Sequence, residues 1–228
     1  SQLPNLIRFC QKLGEVTTVV PKFEQSGKSH GIELHKPYEA KQVELEAGLA
    51  IWTVDSTPAD CVRFALLGLK QEFDLCVSGI NRGFNIGTDI VYSGTVGAAC
   101  EAVAMGLKAI ALSTPPSYYD HAWEHLDRVF DYIFSRKLLD ICDLYNVNIP
   151  PEPVNIRITR QGGPYYSDDY MLIGNDMYQA CGKCVYEDNG DPTLDTNTVI
   201  HGDISICPIT IDKTDLRVFH TLRSEAPE

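Results

Sequence analysis

With 228 residues, 44% of them hydrophobic and 22% charged, the chain can bury the core of one domain and carry an appendage. Its formal net charge of −12 excludes a nucleic-acid polymer as the main partner, because a phosphate backbone demands clustered Lys and Arg. No stretch approaches the roughly 20 apolar residues of a membrane-spanning helix and no signal peptide is visible, so no membrane partner is expected.

Residues 1–13 have helical apolar spacing at Leu3, Leu6, Ile7, Phe9, Cys10 and Leu13, ending at Gly14. Thr17–Val20 reads as a strand stopped by Pro21, and Ile51–Val54 as another. Thr57-Pro58 opens a helix that turns Val62, Phe64, Ala65, Leu66 and Leu69 toward the core. Asp74–Val77, Ala109–Leu112 and Leu144–Ile149 are further apolar strands, with helices at 94–106 and 121–139 between them. This alternation predicts an α/β fold, a doubly wound and mainly parallel sheet with helices on both faces. The first helix feeds a strand, so a parallel strand of about five residues is expected upstream of it.

From Val154 the texture changes, with Gly162-Gly163-Pro164, several tyrosines, Asn189-Gly190-Asp191-Pro192 and a late strand at Asp203–Cys207. The expected organisation is a core over 1–153 and a C-terminal antiparallel β extension or arm over 154–228, within one domain; a β-rich cap is the alternative. Of the eight cysteines, Cys10, Cys61, Cys76 and Cys100 fall on apolar faces, which predicts free thiols and a reduced, cytoplasmic setting. Cys181-Gly-Lys-Cys184 has metal or redox spacing but no partner pair, and reads as part of a hairpin.

The most informative stretch is Val77-Ser-Gly-Ile-Asn-Arg-Gly-Phe-Asn-Ile-Gly87, followed by Tyr92-Ser-Gly-Thr-Val-Gly-Ala-Ala-Cys-Glu101. A strand passes into a loop with glycines at 79, 83 and 87 and carboxamides at Asn81 and Asn85, and a small-residue helix opens at Ser93-Gly94-Thr95. Glycines admit a ligand close to the backbone, amides offer neutral oxygen and N–H groups, and the free N–H groups of a helix's first turn suit a phosphate. Together they predict a phosphate-handling site at the carboxyl edge of the sheet. Asn81 also reads as a turn residue and Ser93 as an N-cap compatible with phosphate contact; Arg82 is expected to meet substrate or to pair with Asp89. His121-Ala-Trp-Glu-His125 fits an H-x-x-E-H metal pattern, against which stands a solvated helix face with no third ligand.

The chain resembles the SurE family, stationary-phase survival proteins that act as 5′/3′-nucleotidases. The resemblance rests on Val20-Pro21, Gln25-Ser26-Gly27-Lys28-Ser29-His30, Thr57-Pro58-Ala59-Asp60-Cys61-Val62, Val77–Gly87, Ser93-Gly94-Thr95-Val96, Asn146-Val-Asn-Ile-Pro150 and, more loosely, Gly202–Pro208. It implies one divalent cation per subunit, Mg²⁺ or Mn²⁺, with Ser26 and Asn81 among its ligands, and phosphate contacts from Asn85, Ser93, Gly94 and Thr95. All-oxygen ligands of this kind are hard and favour those ions over zinc. The family's adjacent aspartate pair after the first strand has no counterpart here, and Asp168-Asp169 lies in the extension. Ser56 stands where the family usually has Gly before Thr-Pro.

The resemblance thus implies metal-dependent hydrolysis of nucleoside 5′- and 3′-monophosphates to nucleoside and phosphate, and a homodimer or homotetramer built through the C-terminal extension. The alternative is a non-catalytic nucleotide-binding or assembly protein. His30, beside Ser26 in sequence, is a candidate proton donor to the leaving group.

Overall fold

In the computed structural model, which describes residues 2–225, Pro4 sits in the first turn of α1 (Leu3–Gln11), and Leu6, Ile7 and Phe9 are its buried face. The chain continues through β1 (Val19–Pro21), β2 (Ala40–Glu46), β3 (Leu49–Val54), α2 (Pro58–Arg63), β4 (Leu75–Arg82), α3 (Gly94–Ala104), β5 (Lys108–Thr114), α4 (Leu126–Ser135) and β6 (Leu144–Asn148). It ends with β7 (Ile156–Ile158), β8 (Tyr166–Gly174), β9 (Met177–Cys184), α5 (Asp195–Ile200), β10 (Ile204–Pro208) and α6 (Leu216–Glu225).

The central sheet has the order β4-β5-β6-β10-β7, in which the β4, β5 and β6 pairs are parallel and β10 runs antiparallel to β6. Strand alternation sorts its two faces. Ile110 and Leu112 of β5, with Tyr145 and Val147 of β6, join Leu6, Phe9, Leu126, Val129, Phe130 and Ile133 in one apolar cluster beneath α1 and α4. The small residues Ala109 and Ala111 face the other way, against Val96, Ala99 and Ala102 of α3, where their size lets helix and sheet approach closely. The expected α/β class, parallel sheet and flanking helices are therefore observed, with α4 shorter than the predicted 121–139 because its flanks are 3₁₀ turns.

Three differences from the sequence reading matter. Among the described residues β1 pairs with β3, in a sheet of order β1-β3-β2, and residues of both β1 and β4 line one cleft. Val62 of α2 and Ala65 and Leu66 of the π-helical turn that follows it border this cleft and are half-buried rather than fully buried. β2 escaped the sequence reading because it is an outer strand made mostly of polar residues, whose pairing with β3 supplies its order. Lastly, residues after Val154 divide between two structures. β7 and β10 complete the central sheet, while β8 and β9 form an exposed hairpin turning at Asn175 and Asp176, both at positive φ as a type I′ turn requires.

Candidate active site

β4 runs further than its apolar core predicts. Leu75–Ser78 pair with Lys108–Ala111, the register shifts, and Asn81 and Arg82 then pair with Ser113 and Thr114. A bulge of this kind re-aims the side chains beyond it. Gly79 occupies the bulge at φ +140, and a Cβ there would lie 2.5 Å from the Leu112 carbonyl oxygen. Asn81 is thus a strand residue, where the sequence suggested a loop. Its Nδ2 donates to the Gly83 carbonyl at 2.8 Å and its Oδ1 accepts from the Thr95 hydroxyl at 3.3 Å. The Ser78 hydroxyl donates to the Thr95 carbonyl at 2.8 Å, so β4 holds the first turn of α3 directly.

Ser93 is the N-cap of α3, with extended φ and ψ and its Oγ accepting from the Val96 N–H at 3.1 Å. The Gly97 N–H bonds the Ser93 carbonyl, which leaves the Gly94 and Thr95 N–H groups without partners among the described residues. They end in the cleft, as does Arg82, which has no ion-pair partner among the described residues. Asp89 instead accepts from the Tyr166 N–H at 3.0 Å, at the base of the hairpin, so of the two alternatives for Arg82 the pair with Asp89 is not formed.

Asn85 lies on a polar floor. Its backbone N–H donates to Asn148 Oδ1 at 2.9 Å, and its carbonyl accepts from the Nδ2 groups of Asn146 and Asn148, each at 2.8 Å. Its own Nδ2 donates to Ser113 Oγ at 2.6 Å. Asn146, Asn148 and Ser113 are fully buried. The sequence marked Asn146 and Asn148 only as part of a motif; two carboxamides at i and i+2 in an apolar strand share one face, and that was the signal for a shared partner.

The loop bearing Ser26 closes the opposite side. Gln25 lies so near the start of α3 that a Cβ on Gly94 would meet its carbonyl at 3.2 Å, and a Cβ on Gly97 would meet the Ser29 carbonyl at 2.2 Å. The Ser29 N–H and Oγ donate to the Tyr92 and Val91 carbonyls. Ser26 itself is exposed, its Oγ donating to Glu24 Oε1 at 3.0 Å. His30 turns away to Glu101 Oε2 at 2.7 Å, while Arg63 donates to Glu101 Oε1 at 2.8 Å. Its ring therefore bonds the α3 carboxylate that pairs with Arg63. Ser56 donates to Asp60 Oδ2 at 2.5 Å, and that buried carboxylate also holds Thr57 and the Glu33 N–H, so the serine adds a bond to the turn.

Ser26, Asn81, Asn85, Ser93, Gly94 and Thr95 all border the one cleft. As ligands, the Ser26 hydroxyl and the Asn81 carbonyl are hard neutral oxygens of the type Mg²⁺ and Mn²⁺ accept. No group of three His, Cys, Asp or Glu side chains suited to a metal occurs among the described residues, so these two donors are a partial set. The other metal patterns dissolve. His121 bonds Glu124 and His125 bonds the Tyr118 hydroxyl. Cys181 and Cys184, three apart on β9, point to opposite faces of the hairpin. All eight cysteines are free, and burial pushes the thiols of Cys61, Cys76 and Cys207 up to about 12.

At the carboxyl end of β4 this cleft gathers hydroxyl, carboxamide and helix N-terminal N–H groups, an arrangement found in the class of α/β proteins that handle small anionic ligands. The chain is a member of the SurE family: residues 1–168 match the family described as survival protein SurE. It is 36% identical over 216 residues to the 5′-nucleotidase SurE of Desulforudis audaxviator, covering 90% of this chain and 84% of that protein. It is 37% identical over 229 residues to the 5′-nucleotidase SurE of Pelotomaculum thermopropionicum, covering 96% and 88%. The crystal structure of the SurE protein from Aquifex aeolicus superposes with a TM-score of 0.75 at 28% identity, over 98% of this chain and 93% of that one.

Proposed function

We propose that the protein is a phosphomonoester hydrolase that acts on nucleoside 5′- and 3′-monophosphates, releasing nucleoside and phosphate with one Mg²⁺ or Mn²⁺ per subunit. The observation that carries this reading is the meeting of Asn81, Asn85 and the unpartnered Gly94 and Thr95 N–H groups in one cleft, in a chain whose relatives are named 5′-nucleotidases. In a chain of net charge −12 an anionic substrate needs local attraction, which the α3 N-terminus and Arg82 supply.

The Gly94 and Thr95 N–H groups bind the phosphoryl oxygens and stabilise the charge that develops on them, worth about 3–4 kcal/mol per well-placed donor, while the Thr95 hydroxyl at the same turn holds Asn81. Ser93 fixes the first turn of α3 by its capping bond, and Asn85 borders the phosphate position from the floor side. Ser26 and Asn81 would hold the cation, whose chemistry when bound is to polarise a phosphoryl oxygen and to activate a water. Asn81 is set for that by its bonds to Gly83 and Thr95, which leave its carbonyl facing the α3 turn.

The exposed apolar residues of the hairpin, among them Met171, Leu172, Ile173 and Met177, support assembly into a homodimer or homotetramer through this arm. Eight free thiols support a reduced, cytoplasmic setting; no helix among the described residues is long and apolar enough to cross a membrane.

The test is phosphate release from 5′-AMP and 3′-AMP with Mn²⁺, Mg²⁺ or EDTA. Metal-dependent release from both supports the reading. Binding of AMP that persists in EDTA with no release in any metal overturns it in favour of a nucleotide-binding protein.

A further inference from the structure

Asp195 is a carboxylate with 1% of its surface exposed and no cation bonded to it among the described residues. Its partners are backbone N–H groups from three separate segments. Oδ1 accepts from Gly162 at 2.8 Å, from Thr196 at 2.7 Å and from Gly87 at 3.2 Å, and Oδ2 accepts from Gly87 at 3.0 Å. The fit around it is tight: a Cβ on Gly87 would lie 2.0 Å from the Gly163 carbonyl oxygen, and one on Gly162 would lie 2.5 Å from Thr196 Oγ1. Gly87 is two residues from Asn85 and opens the 3₁₀ turn that leads to Ser93. One end of this loop is held by the Asn146 and Asn148 amides, and the next turn by Asp195.

We infer that Asp195 is a positioning residue that sets the Asn85–Gly87 turn of the phosphate-facing loop and ties it to the loop at Gly162, from which the hairpin departs. Burying a charge without a counter-ion works against stability. Burial raises the Asp195 pKa, in opposition to its backbone donors, which identifies the charge as a cost to the folded state. What the carboxylate provides that a neutral amide does not is a second acceptor oxygen, and that oxygen, Oδ2, is spent on Gly87 alone. Asp195→Asn with its oxygen at the Oδ1 position keeps the bonds to Gly162 and Thr196, leaves Gly87 only the longer 3.2 Å bond, and turns an NH₂ group against the Gly87 N–H in place of the 3.0 Å one. The substitution therefore loosens the site loop selectively.

This inference rests on the proposed reading of the cleft, so the test carries readouts with and without catalysis. Wild type and Asp195→Asn are compared as full chains for thermal unfolding, amide exchange in peptides covering 83–92 and 144–149, AMP affinity, and AMP turnover with Mn²⁺. Expected are at least about fivefold faster exchange in 83–92 with 144–149 unchanged, an unfolding temperature lowered by no more than about 4 °C, and AMP affinity and kcat/KM each reduced about tenfold or more. Unchanged exchange in 83–92, or loosening that spreads to 144–149 with a larger fall in unfolding temperature, overturns the inference. So does faster exchange in 83–92 with wild-type affinity and turnover. A wild type that binds AMP without releasing phosphate refutes the hydrolase reading only; exchange and affinity then decide the role of Asp195. A wild type that does neither overturns both.

Discussion

The two walls of the cleft are built on different principles. In the wall of Asn81, Asn85 and Ser93–Thr95, the Asn85–Gly87 turn is anchored from below by buried side chains: Asn146, Asn148, Ser113 and Asp195 make hydrogen bonds to it spanning 28 to 108 residues of sequence. The wall of Ser26 rests on α3 through backbone contacts at Gly94 and Gly97, and its proposed ligand oxygen is exposed. The lesson is that donors for a substrate oxygen are prepaid in folding on one wall, whereas on the other the ligand is left free to adapt when something binds. Removing a buried partner should therefore damage fold and function together on the first wall, and function alone on the second.

The largest effect should come from Asn148→Leu, which leaves the Asn85 N–H without an acceptor and its carbonyl short of one donor. We expect a loss of about 2–4 kcal/mol in urea unfolding, since each buried group left unpaired costs about 1–3 kcal/mol; a change under 0.5 kcal/mol would contradict the picture of an anchored wall. Ser26→Ala should leave stability within about 0.5 kcal/mol while lowering AMP turnover about tenfold, with a higher Mn²⁺ requirement in a metal titration. A parallel loss of stability would place Ser26 in the anchored class.

Two buried carboxylates sharpen the comparison through pH. Burial works against the Asp203 charge, but Arg157 and the N–H groups of Asn155 outweigh it and hold its pKa below the ordinary value. Its contribution is present above about pH 3.9 and is lost as pH falls through the folded-state pKa. Asp195 has the opposite sign: its pKa is raised, so its contribution is full below about pH 3.9 and is lost as pH rises through the folded-state pKa. Melting temperatures over pH 3–7 should show Asp203→Asn gaining on the wild type toward acid and Asp195→Asn gaining toward neutral; the reverse slopes would refute the assignment. The smallest effect on folding is expected from Leu172→Glu in the exposed hairpin, with an unfolding temperature within about 2 °C of the wild type. In sedimentation it should yield a smaller species than the wild type if the arm holds subunits together.

Much of this was legible along the chain because it is local. The period of Leu6, Ile7 and Phe9 marks α1, the apolar runs mark β4, β5 and β6, and the Ser93 cap with its small residues marks α3. Glycines and carboxamides between them pointed to the cleft. The functional reading also drew on family resemblance, which residue patterns alone did not supply. His30 shows the limit of sequence proximity: four residues from Ser26, it bonds Glu101, 71 positions away.

The sequence by itself determined the α/β alternation, the capped helix and the residue types offered to a ligand, since dihedral preference and burial period act over a few neighbours. Tertiary structure alone decided that β7 and β10 return to the central sheet and that Asp195 reaches back 108 residues to Gly87. A hydrogen bond to a distant backbone N–H carries no signature in either partner's neighbourhood; it exists only once burial has removed the water that would otherwise compete for it.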